Sequence, residues 1–440
     1  MIFKKNIFLL IILTIAGALN SQKTESQTIS GDSLSLKFTI KEVVQNHPAV
    51  KKTMEELNVS EAKIGAAHSS NYPYVDFESS YSRMGPVSTL SIPDMGTFSF
   101  MPHDNYSAGI NLNQNIYDFG KTEKNISLEK QGKELSRQSV EQVKQKLSQS
   151  VISNYYMLVY LQEAIKIKEE QLHTLNQHLI YVEKKESTGS ATRYEILTTQ
   201  VRISAIQNQK TDLETARQVQ VAQLNSLLGR PESMDELVKI DLSSPLTNLE
   251  YDSLVTSSVR NRDEIKMAMA KSKQSQLKYN FTQTQNYPVI SGFISGGIKN
   301  GFIPEMNKLT PNFIAGVGLK IPILDGKRNK YNLLQAKSDI LMSDDEIEIT
   351  RRNVVNEVVE SLSSVKASQK KIDQNQLQVQ QANQAFSLAQ VSFQSGVITN
   401  LELLEASTAL SESNLSLLKA RIDYVMNLYK LKWAIGERLY

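Results

Sequence analysis

The chain contains one succession of sequence features twice, and this duplication constrains its fold more than any other property. Asn71–Pro73 returns as Asn286–Pro288 after 215 residues. Further along, Asp118 returns as Asp325 after 207 residues, so the second copy has lost eight residues between these points. The matching segments follow one another in the same order in both halves. We therefore expect two copies of one structural unit.

Each copy changes its hydrophobic period at corresponding places. In the first copy, residues 34–70 follow a helical pattern, two alternating segments come next, and a helical pattern without proline runs from about Lys121 to about Ser187. That long helix would extend about 100 Å at 1.5 Å per residue. The strands predicted from the alternating segments of both copies are 75–83, 106–116, 289–297 and 312–322.

The long helix carries a seam that is typical of packing against other helices. Eleven positions follow an alternating three–four spacing, and nine of them are apolar. These positions are Leu147, Val151, Asn154, Leu158, Leu161, Ile165, Lys168, Leu172, Leu175, Leu179 and Val182. We expect the shorter helices before and after the strands to lie end to end along it.

A tight helical hairpin is predicted near the end of each copy, with tips at 187–195 and 394–402. Gly189 suits the left-handed position that ends a helix. Thr192, followed three residues later by Glu195, has the capping-box pattern that begins the next helix. The second copy repeats these three residues as Gly396, Thr399 and Glu402.

The N-terminus has the form of a secretory signal peptide. Lys4 and Lys5 precede an apolar run over 7–15, and small residues follow it. The run is too short to span a bilayer as a helix. Residues 1–20 are therefore predicted to be a signal peptide, with an uncleaved anchor as the alternative, and the two repeats are assigned to 21–245 and 246–440.

The amino-acid composition excludes several classes of site and partner. The chain has no cysteine, which excludes disulfides, thiolate metal sites and a lipid-bearing cysteine. Without Lys4 and Lys5 the 49 basic residues become 47, against 46 acidic residues. The exported chain is nearly neutral, so no nucleic-acid partner is expected.

The predicted strands alternate between apolar and polar residues. In the segment 106–116, Ala108, Ile110 and Leu112 share one face, while asparagine, serine and glycine residues occupy the other. This pattern is typical of barrel strands in a membrane, although the half-buried sheet of a soluble domain alternates in the same way. Membrane barrels need about eight strands. Because one chain supplies four, a membrane barrel would require several chains.

Together these features resemble the TolC-like outer-membrane efflux proteins over essentially the whole exported chain. The resemblance rests on the twofold repeat, the Tyr-Pro residues before the first strands, and the hairpin tips with glycine, threonine and glutamate. It also rests on the passages from strand to helix at Ile116–Gly120 and Ile323–Gly326.

The resemblance implies a mainly helical fold with a membrane β-barrel portion. Three chains would form a homotrimer, with a twelve-stranded barrel among outer-membrane lipids and a helical barrel crossing the periplasm. The tips would form the closed periplasmic end, where a periplasmic adaptor protein and an inner-membrane transporter dock. No cofactor is implied, and the channel itself would supply no energy.

The resemblance also implies roles for residues at the tips. Glu402 and Glu405 match the positions of an acidic ring at the periplasmic aperture, although a capping role alone explains Glu402. Phe393 and Ile398 stand where the family places latch residues, without the usual tyrosine hydroxyl and arginine, so that latch is in doubt and a different one could replace it. Arg193 and Glu195 are the candidates for it. Adaptor contacts are expected at Gly189, Ser190, Thr192, Gly396 and Thr399.

Nothing in the sequence favours an enzyme. His173 and His178 are five residues apart and do not share a helix face, and the chain has no HExxH, P-loop or Gly-x-Ser-x-Gly motif. The predicted function is the outer-membrane channel of a tripartite efflux pump. The alternatives are the outer-membrane duct of a type I protein secretion system and a soluble periplasmic coiled-coil scaffold.

Overall fold

The computed structural model describes residues 34–235, 237–240 and 250–440. The predicted signal peptide at 1–20 lies outside the described residues. Within them, the first half contains two helices, a sheet portion and two longer helices, and the second half repeats this order. The predicted mainly helical fold with four main strands is confirmed.

The first half begins with two short helices, α1 and α2, and ends with the long helix α3 and the returning helix α4. Four strands, β1 to β4, lie between these pairs. In chain order the elements are α1 (Leu36–Asn46), α2 (Pro48–Ser69), β1 (Tyr74–Arg83), β2 (Thr89–Ile92), β3 (Gly96–Ser99), β4 (Asp104–Tyr117), α3 (Lys121–Ser187) and α4 (Arg193–Leu228).

The second half has the same order without the short strands. Its elements are α5 (Tyr251–Asn261), α6 (Asp263–Gln283), β5 (Val289–Lys299), β6 (Thr310–Lys320), α7 (Arg328–Gln394) and α8 (Asn400–Ala434). Helices α3 and α7 are 67 residues long, in agreement with the long proline-free pattern.

The prediction of one helix over 34–70 was wrong, because the chain turns between α1 and α2. Pro48 has no N–H to donate and disfavours helical geometry in the residue before it. His47 is accordingly extended, with φ −63° and ψ 134°, and its Nδ1 accepts a hydrogen bond from Ala49 N at 3.1 Å. Arg262 has nearly the same dihedral angles between α5 and α6.

The helices form a layer in which α3 and α7 keep the second and fourth places along its whole length. Beside the sheet, contacts run in the order α2, α3, α6, α7. Towards the hairpins they run α4, α3, α8, α7, and α4 also contacts α8. Many buried residues of α3 belong to its predicted seam, among them Val151, Leu158 and Val182.

The largest apolar cluster lies where α1, α3, α4 and α8 meet. Tyr155 is fully buried there, and its hydroxyl donates to the carbonyl oxygens of Leu34 and Lys239 at 2.9 and 2.6 Å. Its ring thus ties the segments before α1 and after α4 to the long helix.

The four long strands form an antiparallel sheet in the order β1-β4-β5-β6. Residues paired across it share a face, so Phe77, Ile110, Gly296 and Phe313 form one row across the four strands. The eight residues that distinguish the first copy fall between β1 and β4, where the chain adds the hairpin β2–β3. The sequence pattern did not predict this hairpin.

Candidate functional site

The two faces of the sheet differ sharply in chemistry. One face carries apolar side chains on all four strands, and all of them except the half-buried Leu112 are exposed: Val75, Phe77, Ile110, Leu112, Ile294, Ile298, Phe313, Val317 and Leu319. On the other face, Asn111 Nδ2 donates to Asp76 Oδ2 at 3.0 Å, and Ser295 Oγ donates to Asn111 Oδ1 at 2.7 Å. The sheet therefore has one apolar face and one face with hydrogen-bonded polar side chains, although Ile314 lies on the latter.

The opposite end of the molecule is formed by two hairpin tips with the same backbone chemistry. After α3, Gly189 has φ 76°, and Ser190 N donates to Lys185 O at 2.8 Å. After α7, Gly396 has φ 74°, and Val397 N donates to Ser392 O at 2.8 Å. Glycine accepts this left-handed geometry without steric cost, so both long helices end by the same device.

The residues predicted to contact an adaptor all lie on these tips and are exposed. They are Gly189, Ser190, Thr192, Gly396 and Thr399. The two threonines also begin the returning helices: Thr192 Oγ1 accepts from Glu195 N at 3.4 Å, and Thr399 Oγ1 accepts from Glu402 N at 3.3 Å.

The two glutamates differ in what their carboxylates do. Glu402 Oε2 accepts from Thr399 N at 2.7 Å and from Thr399 Oγ1 at 2.8 Å, which completes a capping box. These hydrogen bonds lower the pKa of Glu402. No hydrogen bond from Thr192 to the Glu195 carboxylate is present among the described contacts. The backbone carbonyl oxygen of Glu195 instead accepts hydrogen bonds from neighbouring side chains.

The remaining charged residues of the predicted tip site point to solvent. Glu405 is exposed on α8, one turn after Glu402, and makes no hydrogen bond or ion pair among the described residues. Arg193 is exposed at the start of α4, and no ion pair joins it to Glu195 within the described chain. Both leave their charges available to another molecule.

Phe393 and Ile398 contribute to an apolar cluster that joins the hairpins. Phe393 is 6% exposed, and its ring centroid lies 5.1 Å from that of His178 and 6.1 Å from that of Tyr181. Lys185 Nζ lies 5.2 Å from the Phe393 and Tyr181 ring centroids, a cation–π arrangement. Phe393 thus acts through packing, where a tyrosine would add a hydroxyl.

The sequence did not reveal the hydrogen bond between His178 on α3 and Asn400 on α8. His178 Nε2 lies 2.6 Å from Asn400 Oδ1, and Asn400 is 4% exposed. Asn400 Nδ2 in turn donates to Glu195 O, Thr198 Oγ1 and Thr199 Oγ1 at 3.1 to 3.2 Å. Burial of the ring lowers the pKa of His178, and the Asn400 hydrogen bond and the Glu195 charge oppose this shift.

Beside this hydrogen bond lies a cavity of about 180 Å³ between α3, α7 and α8. Its walls include Tyr181, Phe386, Gln390 and Leu404. No group of three or more metal-ligating side chains occurs in the part of the chain that the structure describes. Every helix within the described ranges is too short or too polar to cross a membrane.

Known proteins share this organisation. The sequence profile of the family described as outer membrane efflux protein matches residues 39–230 and 254–437. Nodulation protein T of Rhizobium leguminosarum bv. trifolii is 23% identical over 394 residues, which cover 88% of this chain and 82% of that protein. The alkaline protease secretion protein AprF of Pseudomonas aeruginosa is 21% identical over 341 residues, covering 76% and 70%.

The fold matches that of a solved channel. The Campylobacter jejuni CmeC outer membrane channel superposes with a TM-score of 0.77 at 16% identity. The match covers 91% of this chain and 85% of that one. At this identity the likeness concerns the fold.

Proposed function

The chain belongs to the outer membrane efflux protein family and is an outer-membrane protein that extends into the periplasm, and from this we propose that it is the channel subunit of a tripartite efflux pump. Three copies form one passive conduit. A periplasmic adaptor connects the conduit to an inner-membrane transporter, which supplies the energy. The arrangement of unpaired edges in the single chain carries this proposal.

At each level of the molecule, the layer of one chain has two outer members. They are β1 and β6 in the sheet, α2 and α7 beside it, and α4 and α7 towards the tips. Edge strands present unpaired backbone groups, which are costly in hydrocarbon. In a ring, the β6 side of one chain meets the β1 side of the next. This one rotation gives a partner to the outer strands and to the outer helices beside the sheet and at the tips.

The strands require more than one chain, and the resemblance to the family sets the proposed number at three. Four strands per chain fall short of the roughly eight that the smallest membrane barrels contain. Three chains provide a twelve-stranded barrel, with the apolar row of Phe77, Ile110 and Phe313 towards lipid and Asp76 and Asn111 towards the lumen. The soluble-scaffold alternative leaves this apolar face in water, which is costly for so large a patch.

The tips form the periplasmic aperture in this proposal. Threefold symmetry brings three copies of Glu402 and Glu405 around the axis, where they attract cations. Arg193 and Glu195 can pair between neighbouring chains. The exposed residues Gly189, Ser190, Thr192, Gly396 and Thr399 offer two equivalent surfaces per chain to the adaptor.

Cross-linking tests the ring directly, because the chain has no cysteine of its own. Variants carry one cysteine on β1, at Ser80, and one on β6, at Asn312, Ile314 or Gly318 in turn. Oxidation is expected to give covalent dimers and trimers and nothing larger in at least one variant, while each single-cysteine control stays monomeric because its cysteine meets none on the neighbouring chain. A ladder beyond three chains, or monomers throughout, contradicts the trimer.

A protein secretion duct is the second candidate, favoured by the similarity to the alkaline protease secretion protein. The two roles share one architecture and differ in the inner-membrane partner. Deletion of the gene distinguishes them: loss of an efflux duct raises sensitivity to drugs or metals, whereas loss of a secretion duct removes proteins from the medium.

A further inference from the structure

Resting on the channel function proposed above, we propose that His178 and Asn400 are the pair that holds the two hairpins of each chain together at the aperture, and that protonation of His178 releases them. The pair joins α3 to α8 across 222 residues of sequence. It stands beside the tips, where a small separation of the hairpins has the largest effect on the aperture.

The hydrogen bonds around Asn400 determine which way its amide faces. The hydroxyls of Thr198 and Thr199 both donate to Glu195 O, at 3.0 and 2.8 Å. They therefore present lone pairs to Asn400, which must turn its Nδ2 towards them. Asn400 Oδ1 is left facing His178, and an oxygen accepts only from a protonated ring nitrogen.

The imidazole consequently carries its proton on Nε2 in the neutral state. The second proton binds at Nδ1 and places a positive charge on a ring packed against Phe393. Asn400, the first residue of α8, contacts this ring, and the positive end of a helix dipole disfavours a cation. Protonation therefore acts against the closed packing, although the Nε2–H···Oδ1 hydrogen bond itself survives it.

Few charged groups surround the ring among the residues that the structure describes. On α3, Lys185 Nζ lies 5.2 Å from the Phe393 ring centroid, and the Tyr181 ring also packs against Phe393. On α4, the charge of Glu195 favours the cation. On α8, the Glu402 carboxylate is hydrogen-bonded to Thr399. The side chains of α7 that line the adjoining cavity are uncharged. The Asn400 hydrogen bond and the Glu195 charge both favour the cation and oppose release, and burial outweighs them.

The sign of the pH dependence follows from the lowered pKa of His178. When the hairpins separate, water reaches the ring and its pKa returns towards the ordinary value of 6.5. The joined state is thus fully stable above about pH 6.5 and loses stability as the pH falls. Between the two pKa values the ratio of released to joined hairpins rises as the pH falls, by at most tenfold per pH unit in each chain.

The test records the purified full-length protein in planar bilayers between pH 8 and pH 5. Wild type is expected to open more as the pH falls below about 6.5. His178→Gln keeps an N–H donor for Asn400 Oδ1 without a titrating group, so it stays in the low-conductance state throughout. Asn400→Ala is expected to conduct strongly already at pH 8. His173→Gln changes an exposed histidine of the same helix and is expected to match wild type.

Hydrogen exchange of the tip peptides, corrected for the intrinsic pH dependence, supplies a readout that needs no current. Protection of residues 188–199 and 396–404 is expected to fall at pH 5.5 in wild type and in His173→Gln, but not in His178→Gln. An acid response in His178→Gln equal to that of wild type overturns the inference. Absence of current from all proteins, with this exchange pattern intact, overturns the proposed channel and leaves the inference standing.

Discussion

Thr399 and Glu402 form reciprocal hydrogen bonds at the start of α8. The glutamate carboxylate accepts from the threonine backbone N–H at 2.7 Å and from its hydroxyl at 2.8 Å, while the threonine hydroxyl accepts from the glutamate backbone N–H at 3.3 Å. This reciprocity gives Glu402 a structural role at the tip. Glu405, one turn later, makes no such contact among the described residues, so its charge is the freer of the two.

Ion selectivity is therefore expected to depend more on Glu405 than on Glu402. Glu405→Gln should shift the reversal potential under a salt gradient towards lower cation preference and weaken block by divalent cations. Glu402→Gln should mainly lower the thermal stability of the tip, because it removes the charge that accepts two hydrogen bonds. Equal shifts in reversal potential for both variants would assign them the same role at the aperture and contradict this division.

Gly297 is required where β4 and β5 approach each other. A Cβ at this position would lie 2.6 Å from Gly109 Cα and against the Ala108 carbonyl oxygen. Gly297→Ala is expected to destabilise the assembled protein by about 1–3 kcal/mol, as overpacking does. The neighbouring Gly296→Ala is the matched control, since a Cβ there meets nothing within 4 Å. Thermal unfolding of both variants in detergent measures the difference.

The apolar face of the sheet predicts that arginine substitutions at two residues of β6 have very different effects on folding in lipid. Val317 and Ile314 are both exposed, but they point to opposite faces. Val317→Arg should lower folding stability in lipid by about 2–4 kcal/mol, because it places a charge in hydrocarbon. Ile314→Arg faces the polar side and should fold normally. Equal yields in folding into lipid vesicles would show that the apolar face does not contact lipid.

Lys168 is buried in the α3 seam, and it forms no ion pair among the described residues, although the charge of Glu412 partly offsets the effect of burial. Its Nζ lies 3.3 Å from Gln171 Oε1 and 3.4 Å from Ser411 Oγ, and burial lowers its pKa. Lys168→Met should stabilise the protein at pH 7 by about 1–4 kcal/mol, because a buried charge is replaced by an apolar chain. Thermal unfolding across a pH series measures this gain.

The sign of the pH dependence of this stability gain follows from the lowered pKa of Lys168. The unfolded chain keeps its proton up to about the ordinary value of 10.5, whereas the folded chain loses it earlier. The advantage of Lys168→Met should therefore be largest near neutral pH and shrink as the pH approaches that value. The exposed Lys166→Met is the control. A destabilised Lys168→Met with an unchanged control would contradict this reading of the buried ammonium group.

Local patterns predicted the repeated part of the fold. The three–four spacing of α3, the alternation of the four long strands and the glycine and threonine signals at both tips each depend on neighbouring residues. The break at His47 was missed, although Pro48 is a residue that typically ends a helix before it. The apolar period continues across this break and hides it. The β2–β3 hairpin was missed because its strands contain only four residues each.

The contact between His178 and Asn400 could not be read from periodicity. Each residue has an ordinary local role, one on a long helix and the other just after a helix cap. Their meeting depends on α3 and α8 packing side by side, which is a property of the assembled layer. The one sequence signal for such a contact was Phe393. Because it lacks a hydroxyl, other groups must supply the hydrogen bonds between the hairpins.

Single-channel recording of the purified protein in a planar lipid bilayer tests the central claim most directly. Three chains that close one barrel predict discrete, reproducible current steps from a preparation whose mass corresponds to a trimer, with larger steps for Asn400→Ala than for wild type. A protein that stays monomeric without detergent, and gives no current for wild type or Asn400→Ala between pH 5 and pH 8, would contradict it.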